Sequence, residues 1–296
     1  VGEAAIWRLY SGRFFISREN FRRYNFRVPT PFFHLNLGQE LLKHPDLPDG
    51  IRQYLQAARC EFLLGNSAPD VQVISGQTRE NTHFFRIPTQ PGDQPAWEVL
   101  LAQYPNLATA EGLPSPQAAF IAGYLCHLQA DWRWIKQIYA PVFGPGCTWG
   151  TFNERLYYHN VLRAYLDQKI LPSLEAGMDV CLHQVKVDGW LPFVESHCLN
   201  EWRDFLVTQL RPGALTKTVE VFSLRQGISA PEYYALLGSE ERMQGEVFGH
   251  VSLAQVEDYQ QSVLEDNVGL LSDYLAFALH PHGTASKVKP SQGTHI

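Results

Sequence analysis

His127 and Asp131 lie four residues apart in Ser115-Pro-Gln-Ala-Ala-Phe-Ile-Ala-Gly-Tyr-Leu-Cys-His-Leu-Gln-Ala-Asp131, a segment that reads as a buried helix opened by Ser115 as cap and Pro116 in the first turn. That spacing stacks an imidazole and a carboxylate on one helical face, with Phe120, Tyr124 and Leu128 on or beside it. A carboxylate on an apolar face is costly unless something pairs with it. The pair can hydrogen-bond within the core, or a divalent ion can take both groups. Three upstream residues favour the ion. Asp70 closes Phe62-Leu-Leu-Gly-Asn-Ser-Ala-Pro-Asp70, His83 follows thirteen residues later in Asn81-Thr-His-Phe-Phe, and His34 opens a helical pattern in Pro31-Phe-Phe-His34-Leu. Three histidines and two carboxylates in poorly solvated settings are donors suited to zinc or a similar ion.

The ordered motifs Asn66-Ser-Ala-Pro-Asp70, Thr82-His83-Phe-Phe and Tyr124-Leu-Cys-His127-Leu-Gln-Ala-Asp131 resemble the bacterial zinc-dependent phospholipase C family, whose fold is shared with single-strand-specific zinc nucleases. The resemblance runs over roughly residues 29–170 and thins beyond. It implies an all-α multi-helix bundle and one to three zinc ions, two being favoured. By that resemblance Asp70, His83, His127 and Asp131 form one four-ligand site, and Asp131 bridges to a second ion held with His34. The third site of the family takes two histidines and a Glu, and here only His159 matches. Arg163 stands where the Glu belongs, and Trp132, Arg133 and Trp134 follow Asp131 without a histidine. Either this site is lost, or a carboxylate such as Glu154 completes it, or Arg163 replaces it as a fixed cation.

The implied chemistry is hydrolysis of a phosphodiester by metal-activated water, with Asp70 guiding or accepting the water's proton and Arg163 contacting a phosphate oxygen. Phospholipid is one candidate substrate. Two alternatives stay open: a non-catalytic member holding a single structural ion, and a single-strand nuclease, for which Phe84, Phe85, Trp132 and Trp134 could offer stacking surfaces. His197 and Glu201 also show four-residue spacing, but their segment reads as an ordinary amphipathic helix. His44, His183 and His250 follow loop or surface patterns.

The remaining sequence supplies the elements that must position this set. Apolar periodicity predicts helices over about 35–44, 49–62, 94–104, 116–139, 152–171, 197–210, 230–237 and 251–279, the last capped by Ser252, with a short extended piece at Val185-Lys-Val. The expected organisation is an N-terminal extension over 1–28, a helical domain over 29–280 whose 180–280 portion is less family-like, and a disordered tail over 281–296. The Arg- and aromatic-rich first 27 residues lack the apolar stretch of a secretory signal. A net charge of -6 argues against binding double-stranded nucleic acid, and no apolar run is long enough to span a bilayer. Five cysteines without CxxC spacing read as free thiols in a reducing, cytoplasmic setting, and nothing specifies an oligomeric partner.

Overall fold

Thr30 starts the first helix by accepting a hydrogen bond from the Phe33 backbone N–H at 3.2 Å, with Pro31 in the position where a missing N–H costs nothing. From there the chain, seen in a computed structural model that describes residues 28–279, is built of helices joined by loops, and no strand occurs among the described residues. The helices are α1 (Pro31–Lys43), α2 (Asp49–Ala57), α3 (Arg59–Gly65), α4 (Gln72–Ser75), α5 (Arg79–His83), α6 (Ala96–Gln103), α7 (Ser115–Trp134), α8 (Phe152–Ile170), α9 (Met178–Gln184), α10 (Ser196–Leu210), α11 (Thr218–Gln226), α12 (Ala230–Leu237), α13 (Glu240–Arg242) and α14 (Leu253–Tyr274). The fold is therefore the all-α multi-helix bundle expected. Residues 1–27 and 280–296, which hold most of the expected extension and tail, lie outside the described residues.

The centre of the bundle is α7, buried over nearly its whole length because its apolar residues encircle it rather than forming one stripe. α3 lies against it at backbone contact distance. A Cβ on Gly123 would sit 2.1 Å from the Phe62 carbonyl oxygen, and one on Gly65 would sit 2.0 Å from that of Phe120. These two glycines let α3 and α7 approach closely, and that approach brings the Asn66–Asp70 turn to the face bearing His127 and Asp131. α1 and α14 complete the wall around α7 through Phe33, Trp134 and Tyr259, whose rings meet at 5.1–6.2 Å.

Several boundaries differ from the sequence expectations. The 49–62 segment is two helices, broken at Ala58 (φ -124°, ψ 42°). The α7 helix starts at Ser115 and is preceded by Pro114, so Ser115 is not its cap. Past Trp134 the chain winds on as a π-helix over Ile135–Phe143, where Pro141 has no N–H to give a regular ladder. The last long helix ends at Tyr274 and passes into a 3-10 turn, Ala276–Leu279, and Ser252 caps its start as expected. Val185–Val187 is loop, since no partner strand lies beside it among the described residues. Cys60 and Cys181 form a disulfide, which corrects the reading of five free thiols and removes the cysteine argument for a reducing compartment. Cys126, Cys147 and Cys198 are free. No helix among the described residues is long and apolar enough to cross a membrane.

Candidate metal centre

Four elements deliver the five residues to one point. α7 carries His127 and Asp131 one turn apart. His34 comes from the first turn of α1, Asp70 from the 3-10 turn Ala68–Val71 that follows α3, and His83 from the end of α5. All five are at most 1 % exposed. After His83 the chain turns through Phe84 in the left-handed region (φ 61°), the one non-glycine residue with positive φ among those described. Such a conformation costs a bulky residue on the order of 1–2 kcal/mol and persists only where packing enforces it. Phe84 is held against Tyr104 and Phe193, at ring distances of 6.1 and 5.1 Å.

The donor atoms converge closely. His83 Nε2 lies 3.3 Å from His127 Nε2, 3.4 Å from Asp131 Oδ2 and 3.5 Å from Asp70 Oδ1, and His127 Nε2 lies 3.5 Å from Asp131 Oδ2. In a tetrahedral zinc site with ligand bonds of about 2.0–2.2 Å, neighbouring donors are separated by roughly 3.3–3.6 Å. Four of the six edges of such a tetrahedron therefore have the right length. The other Asp131 oxygen, Oδ1, lies 3.1 Å from His34 Nε2, so the carboxylate presents one oxygen to each side. Two overlapping groups result: His34, His127 and Asp131, and Asp70, His83 and His127.

The imidazoles are oriented from behind. His127 Nδ1 lies 2.8 Å from the Asn66 carbonyl oxygen. A carbonyl only accepts, so Nδ1 carries the hydrogen and Nε2 keeps its lone pair for the converging donors. His83 Nδ1 is 2.9 Å from the Thr82 hydroxyl, and the Thr82 carbonyl accepts from the Tyr124 hydroxyl. The turn carrying Asp70 is pinned as well, because Trp202 Nε1 donates to the Ser67 carbonyl at 2.9 Å. Behind Asp131 stands Arg79, whose guanidinium donates to Oδ2.

Burial and mutual charge then set the protonation of these groups. Burial lowers His34 to about 4, the neighbouring His127 adding to the effect, and pushes His83 well below its ordinary range, with Arg79 reinforcing it. Both are therefore neutral, as ligands must be. Burial acts the same way on His127, but Asp131 and Asp70 beside it outweigh burial and raise it. Burial opposes ionisation of Asp131, yet His127 and Arg79 hold it well below the ordinary carboxylate range. Burial lifts Asp70 to about 6, and neither of its oxygens has a hydrogen-bond donor. A sealed carboxylate lacking hydrogen-bond donors, 3.5 Å from the neutral His83 imidazole, is the donor chemistry that a divalent cation satisfies.

The third constellation is not assembled with the other two. His159 is buried, but its Nε2 accepts the Trp134 indole N–H at 3.0 Å, and the rings of Tyr139 and Phe143 close around it at 5.2 and 5.1 Å. It joins neither donor group. Glu154 is spent on a capping box with Thr151 at the start of α8, on the surface. His197 is exposed, whereas His44 is buried, contrary to its surface-like pattern. Arg163 lines a cavity of about 60 Å³ whose wall also includes Asp70. Sequence reasoning passed over Arg79, although it stands four residues before His83 in the same short helix. Comparison with family models, curated proteins and solved structures returns no match. What stands is an all-helical protein with buried His/Asp groups able to hold a metal ion.

Proposed function

We propose that this chain is a zinc-dependent phosphodiester hydrolase with phospholipase C-like chemistry. The observation that carries the reading is the set of 3.3–3.5 Å separations among His83, His127, Asp131 and Asp70, all sealed from solvent. Asp70, His83, His127 and Asp131 would hold one ion, and Asp131 with His34 would hold a second. When bound, such an ion supplies Lewis acidity at a phosphoryl oxygen and makes water acidic enough to act near neutral pH.

The chain's own groups do the rest. Asp70 has one oxygen toward His83 and lies in the wall of the cavity, so it is placed to accept a proton from attacking water. Arg79 fixes the Asp131 carboxylate, and the Asn66 carbonyl fixes the His127 tautomer. Arg163 brings a fixed positive charge to the same cavity, where a phosphoryl oxygen would bind.

A single structural ion is the second reading, and it applies if Asp70, His83, His127 and Asp131 all close on one ion. Four protein donors around one centre saturate a tetrahedral ion and leave no open position. Hydrolysis of bis(p-nitrophenyl) phosphate and p-nitrophenylphosphorylcholine by zinc-loaded protein separates the two. Zinc-dependent turnover that is lost in Asp70→Asn supports the hydrolase. Tightly held zinc with no turnover on either ester, or full turnover in Asp70→Asn, contradicts it.

A further inference from the structure

The guanidinium of Arg79 is only partly used by its contact with Asp131. Arg79 opens α5 four residues before His83, which puts both on one face of that short helix. Its Nη2 donates to Asp131 Oδ2, the oxygen that also lies 3.4 Å from His83 Nε2 and 3.5 Å from His127 Nε2. The Phe85 ring, itself packed edge-on against Trp132, lies 5.0 Å from the guanidinium carbon and supports the group from one side. The other two nitrogens, Nε and Nη1, are sealed from solvent and have no acceptor among the described residues. Glu80, the next residue along α5, turns to Arg86 at the surface instead. A buried N–H left without an acceptor is costly, and more so on a charged group. The planar group keeps both nitrogens within one guanidinium width of Asp131 Oδ2, beside the converging donors. Arg79 is also the member of this cluster that reaches solvent, with 13 % of its side chain exposed against at most 1 % for the five donors. A ligand approaching along it meets the guanidinium before the donors.

We propose that Arg79 is the anion anchor of this centre: Nη2 stays on Asp131, while Nε and Nη1 donate to the non-bridging oxygens of the substrate's phosphoryl group. The anchor deepens the hydrolase reading and rests on it for the identity of the anion. Where Asp131 and Asp70 are shared with a divalent cation, the guanidinium is a further positive charge beside it. Like charges this close repel in a sealed site, and an oxyanion placed between them relieves the repulsion. Directed N–H donors on a rigid plane suit phosphoryl oxygens better than the point charge of a lysine, so the two cations are not interchangeable here.

Two measurements on the zinc-loaded, desalted full chain test this, with inorganic phosphate as the probe. In calorimetric titration, Arg79→Gln should weaken phosphate binding by about tenfold or more, as expected for loss of a charge-assisted hydrogen bond. Arg79→Lys still gives Asp131 a cation, so it keeps the fold and the zinc and should lose phosphate affinity several-fold. In heteronuclear NMR, the arginine Nε–H cross-peak that is missing from Arg79→Lys should move downfield when wild type is saturated with phosphate. A residue that only positions Asp131 would leave that peak in place. Wild-type phosphate affinity in folded Arg79→Lys, a stationary cross-peak, or no phosphate binding by wild type overturns the anchor. For a chain that retains no zinc, the same titration in EDTA decides by the same outcomes. The anchor and the hydrolase fail separately. Phosphate affinity that falls in Arg79→Lys, in a chain that turns over neither nitrophenyl ester, keeps the anchor and loses the hydrolase. Zinc-dependent turnover with unaltered phosphate affinity in Arg79→Lys does the reverse.

Discussion

Replacing Asp70 by Asn should change stability in opposite directions with and without metal. Metal-free, the Asp70 carboxylate is buried with no donor to either oxygen, and burial raises it from its ordinary 3.8 to about 6. A carboxylate raised in the folded state favours folding when protonated, and that benefit is lost as pH rises from about 3.8 through about 6. At pH 7 the ionised group therefore costs about 3 kcal/mol, from a difference of roughly two units at about 1.4 kcal/mol each. Asparagine removes that cost, although burying its unpaired amide costs about 1–2 kcal/mol. The net gain of about 1–2 kcal/mol should raise the melting temperature in EDTA by roughly 2–3 °C for a chain of this size. Excess zinc reverses the order, because wild type gains about 2.7 kcal/mol at a hundred times its dissociation constant while the variant binds poorly. Scanning calorimetry of both proteins at pH 7, in EDTA and in zinc, reads all four values. A folded Asp70→Asn protein that melts below wild type in EDTA, or zinc raising both proteins equally, would mean that the Asp70 charge is not an uncompensated cost relieved by metal. At pH 5 the carboxylate's cost falls to about half, which the amide's cost offsets, so the EDTA difference should nearly vanish.

Three further outcomes follow from the packing around the centre. Arg79→Met strands the buried Asp131 charge and should cost about 3–5 kcal/mol without metal but much less with zinc, measured by thermal melts in both conditions; an equal loss in both would mean Arg79 does not compensate the missing ion. Gly123→Ala forces a methyl to within 2.1 Å of the Phe62 carbonyl and 2.9 Å of the Asn66 N–H nitrogen, so it should destabilise the fold by about 1–3 kcal/mol and also weaken zinc binding through the Asn66–His127 contact. Unaltered zinc affinity in that variant would uncouple the α3–α7 approach from the site. Reduction of Cys60–Cys181, which closes a separation of 121 residues, should lower stability by about 2–5 kcal/mol in denaturant titrations; no change would show that the bridge does not restrain the unfolded chain.

Much of the buried His/Asp cluster was legible because its signals are local. A four-residue spacing on an apolar helix reveals His127 and Asp131 without any tertiary information, and the Pro31 start locates His34 in the first turn of α1. The long helices were legible for the same reason, since periodicity and caps such as Ser252 act within a few residues. What escaped depends on contacts distant in sequence. Arg225 reaches the cavity only because α11 packs near α8, and nothing within its own segment marks it. The Cys60–Cys181 bridge joins helices that share no sequence signal. His159 lies on the helix expected, yet the indole of Trp134 takes its Nε2, a competition visible only once α7 and α8 are packed. The short helices α4, α5 and α9 are too brief to carry a periodic signature.

The most direct test of the central claim is elemental mass spectrometry of the full chain, purified without a metal-affinity tag and desalted after zinc loading. Two zinc ions per chain are expected, one beside His34 and one beside His83, with both lost in Asp131→Asn, because Asp131 turns Oδ1 to His34 and Oδ2 to His83. A folded wild-type chain that retains no ion, or one whose zinc is unaffected by Asp131→Asn, would contradict it.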